Sequence, residues 1–139
     1  MKQIEIASKI YDIDCNAFTR FQYKSIFKRG IFGDIKVLSD YSYKQEELRK
    51  KLKAENKTDE EIEKEIGSEM MDDLDNFLDV IERIAYILIF TANNKVGSFE
   101  DWLKSIKKID LSEKWISEVT EFAVSSFCWF WANRRVKKN

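Results

Sequence analysis

The sequence predicts a mainly α domain (α+β), in which a short N-terminal β-hairpin precedes a bundle of four to six helices. Three observations carry that expectation. The 139 residues include no proline and only four glycines, so helices can run long without a breaker. Apolar residues recur at helical spacing over most of the chain beyond residue 16. Only the first fourteen residues alternate, as a half-buried strand pair would.

The hairpin reading rests on Ile4 and Ile6 sharing one face and Tyr11 and Ile13 sharing a face beyond a turn at Ala7, Ser8 and Lys9. A lone hairpin is marginal in water, so it must pack on a helix or join another sheet. Asn16 is placed to N-cap a first helix, with Phe18 and Phe21 at core spacing and Gly30 as a left-handed C-terminal cap. Ile35, Leu38 and Tyr41 then mark a short second helix.

Residues 44–66 are the most polar stretch, with Leu48, Leu52, Ala54, Ile62 and Ile66 as the only apolar sites. Thr58 followed by Glu61 is a capping box, which splits the stretch into two helical pieces near Asn56. A single domain over 1–139 with a charged, mobile helical insert at 44–66 is the expected organisation.

A strong amphipathic helix is expected over 68–92, with Leu74, Phe77, Ile81, Ile84 and Leu88 on one stripe and Asp72, Asp75, Asp79 and Glu82 opposite. Its last two turns are apolar all round. Ser98 caps a further helix that buries Phe99, Trp102, Leu103 and Ile106. The final helix starts near Ser112 and also ends in an all-round apolar stretch, before a basic tail of Arg134, Arg135, Lys137 and Lys138.

Composition excludes several function classes. The chain has no histidine, which removes imidazole-based catalysis and the common zinc sites. Its 24 basic and 25 acidic residues leave no global field for nucleic acid. The longest apolar stretches are about half of the roughly 20 residues a membrane-spanning helix needs. The N-terminus has no signal-peptide core. Cys15 and Cys128 lack C-x-x-C spacing and read as buried thiols in a reducing compartment, so a cytoplasmic protein is expected. No phosphate-binding glycine loop and no nucleophile with a partner base occurs; no catalytic residue, cofactor or metal is assigned, and the chain is read as no enzyme. The carboxylates Asp72, Asp75 and Asp79 are read as a solvated face.

Two features point to binding. The all-round apolar helix ends fit either a shared core or a surface for another chain, and aromatic enrichment is the composition of interface cores. The second reading makes Tyr86, Phe90, Phe127, Trp129, Phe130 and Trp131 the partner-binding residues, with self-association into a homo-oligomer. The other feature is the basic stripe Arg20, Lys24, Lys28 and Arg29, interleaved with Phe21, Tyr23 and Phe27 and free of acids between residues 15 and 33. It supports an alternative reading as a small helical nucleic-acid-binding or regulatory module.

The order of segments resembles the tail assembly chaperone family of long-tailed bacteriophages and prophages. A β-rich start precedes a helical stretch carrying Tyr23, Phe27, Gly33, Asp34 and Ile35, with Lys28 and Gly30 where the family has glycine and its first aspartate. A variable charged segment follows, then an apolar helix from Leu78 to Tyr86 and the signature Phe99, Glu100, Asp101, Trp102, Leu103. The resemblance spans most of the chain apart from 44–66. It implies a chaperone without catalytic activity that binds and solubilises the tape measure protein. It also implies help in recruiting the major tail protein in the cytoplasm of the bacterial host.

Overall fold

The computed structural model describes residues 1–127. Its two strands, β1 (Lys2–Ile6) and β2 (Lys9–Ile13), form an antiparallel hairpin with Ile4 opposite Tyr11 and Ile6 opposite Lys9. The two-residue loop holds Ala7 at φ 49° and Ser8 at φ 68°. Positive φ at both central residues is the geometry that matches the twist of hairpin strands. Ile4, Ile6, Tyr11 and Ile13 all point inward. The hairpin lies on the helices, and the Asp14 N–H donates to Leu88 O at 3.1 Å.

Six helices follow within the described residues: α1 (Ala17–Phe27), α2 (Ile31–Ala54), α3 (Asp59–Glu69), α4 (Met71–Ala92), α5 (Phe99–Ser105) and α6 (Lys114–Phe127). The predicted class, a hairpin before a helical bundle, is the observed one. Asn16 caps α1 by accepting from the Phe18 N–H at 2.9 Å, Thr58 and Glu61 close a reciprocal box on α3, and Ser98 accepts from the Asp101 N–H on α5.

Several boundaries differ from expectation. Lys28, at φ 58°, takes the left-handed C-cap position of α1, and Gly30 is instead the extended N-cap of α2. The short second helix and the first half of the charged insert are one helix, because no residue between Ile31 and Ala54 breaks it. The helix expected over 68–92 is divided at Met70, whose side chain turns inward beside Ile66.

α4 is the central element. Its second half, from Val80 to Ile89, is buried apart from Glu82 and Arg83, because β2, α1, α2, α5 and α6 all pack on it. This explains why the polarity pattern fails there. The main core joins the hairpin, α1, α2, α4, α5 and α6, while Leu52, Ile62, Ile66 and Met70 form a separate small core between α2 and α3. No helix among the described residues is long and apolar enough to cross a membrane.

Candidate partner-binding site

α2, α4 and α6 pack on one another, and α2 meets α6 where Phe32 sits edge-on to Phe127, with ring centroids 5.6 Å apart. Away from that contact an open groove of about 800 Å³ runs between α2 and α6. Tyr41, Phe77, Leu111, Ile116 and Val124 give it an apolar lining. Ser39, Ser42, Ser117, Thr120 and Ser125 add small hydroxyl side chains, and Gln45, Glu113, Lys114 and Glu121 complete the lining. Thr120 donates its hydroxyl back to Ile116 O at 2.8 Å, which leaves its methyl available to a ligand. Tyr41 stacks on Phe77 at 4.1 Å, and its phenol is held above the ordinary tyrosine range by burial and by the Asp73 charge. Apolar patches fringed by short hydroxyls suit a helix laid into a groove, where most of the affinity comes from apolar contact.

α2, one wall of this groove, also carries a buried charge cluster that sequence reasoning missed. Asp34 on α2 is 1% exposed. It accepts from the Tyr23 hydroxyl of α1, from Arg29 at 2.8 Å, and from Arg83 of α4 at 3.3 Å. Arg83 also donates to the Tyr23 oxygen at 3.2 Å. Burial and the Asp34 hydrogen bond push the Tyr23 phenol far above its ordinary range. Burial opposes the Arg83 charge, but Tyr23 and Asp34 outweigh it and hold its pKa up. Three helices are thereby pinned at one point.

The residues singled out from sequence separate into different environments. Tyr86 is a core residue rather than an exposed anchor, which corrects its assignment to a client surface. It is 2% exposed, packed among Phe27, Phe99 and Trp102, and donates its hydroxyl to Gly97 O at 2.6 Å. Phe90 is half-buried beside Tyr86, and half-buried Phe127 closes one end of α6 against Phe32. Trp129, Phe130 and Trp131 lie outside the described residues.

The basic stripe also changes character. Tyr23 is buried, Phe27 is half-buried and Arg29 is tied to Asp34. Phe18 and Phe21, expected inside, are 56% and 59% exposed, because α1 buries Thr19 and Tyr23 instead. Asp72, Asp75 and Asp79 stand on the exposed side of α4. Among the described residues no group of three or more Cys, Asp or Glu side chains could hold a metal ion. Comparison with family models, with curated proteins and with solved structures finds no match to this chain.

Proposed function

We propose that this chain is a tail assembly chaperone without catalytic activity. In this reading it holds apolar helical segments of a tape measure protein in solution and helps recruit the major tail protein. Its setting is the bacterial host cytoplasm, and it acts as a homo-oligomer. The observation that carries the reading is the open groove between α2 and α6, whose apolar side chains Tyr41, Phe77, Leu111, Ile116 and Val124 are bordered by short hydroxyls and by Glu113, Lys114 and Glu121. The order of the sequence motifs supplies the client, since a holdase for a long apolar helix needs this kind of surface.

The test is co-expression with a tape measure fragment. Leu111→Glu and Val124→Glu place a carboxylate in the groove at positions that are not fully buried. Each is expected to weaken capture at least about tenfold, the equivalent of roughly 1.4 kcal/mol. Trp129→Ala and Trp131→Ala probe the aromatic residues beyond α6 in the same assay. Capture should hold or strengthen as salt rises, whereas phosphate-driven binding would fall steeply. Asp75→Asn and Asp79→Asn serve as neutral controls. Light scattering at micromolar concentration should give a mass above the monomer. Groove variants that stay folded and still solubilise the fragment would remove the groove from the proposal.

A further inference from the structure

The outward side of α1 exposes two phenylalanines beside basic residues. At about 100° per residue, Phe18, Phe21 and Ser25 form one row and Arg20 and Lys24 a row beside it one turn apart, with Lys28 following at the left-handed cap that ends α1. Phe18 and Phe21 are more than half exposed and stack on each other, centroids 5.4 Å apart and 16° from parallel. Next to them lies a cleft of about 180 Å³ in which Phe18 and half-buried Phe90 of α4 are the two apolar residues among Asn16, Thr19, Gln22, Thr91 and Asn94. Arg20, Lys24 and Lys28 are exposed and make no ion pair among the described residues, whereas most exposed cations of α2 do. No acid lies between residues 15 and 33 to neutralise them.

We infer that this face docks an acidic amphipathic helix of a partner protein, whose apolar residues cover Phe18, Phe21 and Phe90 while its carboxylates meet Arg20, Lys24 and Lys28. Charge complementarity selects the partner. The chain's own C-terminal residues carry Arg134, Arg135, Lys137 and Lys138, so they have the wrong sign to cover a basic row. Two parallel rows one helical face apart match the paired apolar and charged rows of a second helix. Single-stranded nucleic acid fits less well. It is held by bases stacking on open aromatic faces, and here each ring already gives one face to the other. The patch shares no lining residue with the α2–α6 groove, so the inference stands or falls separately from the function proposed above.

The experiment titrates the full chain against a fluorescein-labelled 21-residue amphipathic peptide, with leucine on one face and glutamate along its flank. Anisotropy should report binding that Phe21→Ser and Lys24→Glu each weaken at least tenfold. The same peptide with lysine in place of glutamate should not bind. Both substituted positions are exposed, and melting curves check the fold; if Phe21→Ser lowers the midpoint, the charge reversal at Lys24 decides. Absence of binding, or binding that neither variant changes, overturns the inference. So does tighter binding of a twelve-nucleotide deoxythymidine strand than of the peptide, which would make nucleic acid the occupant.

Discussion

At the scale of single residues, Asp34 is the position on which most depends. A carboxylate in the interior persists only where partners compensate its lost hydration. Here Arg83 is the buried partner, with 15% of its side chain exposed, and Arg29 the peripheral one, at 50%. Asp34→Ala strands the Arg83 charge and should cost about 3–5 kcal/mol. Arg29→Ala removes a half-exposed pair and should cost no more than about 1 kcal/mol. Urea midpoints for the two variants measure that ordering, and equal losses would contradict it. Tyr23 adds a pH signature. Its phenol is raised in the folded chain, so its contribution is complete below the unfolded value near 10 and is lost as pH rises beyond it. Alkaline unfolding should therefore begin above about pH 10. Tyr23→Phe should flatten that limb while costing stability at neutral pH through the lost bond to Asp34. Tyr41 and Tyr86, raised by burial in the same direction, leave a smaller slope behind.

At the scale of elements, legibility followed how local the determinants are. The caps at Asn16, Thr58 and Ser98 were readable because each is settled within three residues. The stripe of α4 was readable because Leu74, Phe77, Ile81, Ile84 and Leu88 all agree with one helical face. The buried face of α1 was not. Its inward residues, Thr19 and Tyr23, are the more polar choice, and they become core only through Thr91 of α4 and Asp34 of α2. Periodicity alone favoured the phenylalanines. The hairpin turn was visible as a turn, but its type was not, since Ala7 and Ser8 are poor residues for left-handed backbone. They also define a prediction. Asn-Gly in place of Ala7 and Ser8 suits positive φ at both positions and should raise stability by about 1–2 kcal/mol. A thermal midpoint that stays level or falls would mean that the turn is not of the twist-matched type.

On the scale of the whole molecule, the described residues form two cores of unequal size that share α2. Every member of the main core lies at or before Leu38 or at or after Phe77, with only Tyr41 and Leu74 packed on it from the stretch between. Leu52, Ile62, Ile66 and Met70 close the outer part of α2 against α3, and Tyr41 packs on both this cluster and the main core. The charged insert expected from composition is therefore a helical hairpin with its own small apolar seam. Composition hid that seam because its residues are diluted among charges, and the α2–α6 groove stayed hidden because its walls are far apart in sequence. A four-residue seam stabilises far less than the main core, and regions with few buried contacts open first. Amide exchange should accordingly show α3 opening at a lower free energy than α4, with the Arg49–Glu63 ion pair adding little on the exposed side. Replacing residues 46–69 with a short Gly/Ser linker should leave a cooperative fold, because Lys44 on α2 already reaches Asp73 on α4 at 2.7 Å and the gap to bridge is small. Stability should fall modestly, mainly from Met70 becoming exposed and α2 losing its outer turns. If the shortened chain fails to fold, or α3 and α4 exchange with one common free energy, the two cores are a single cooperative unit and the outer hairpin is required by the inner one.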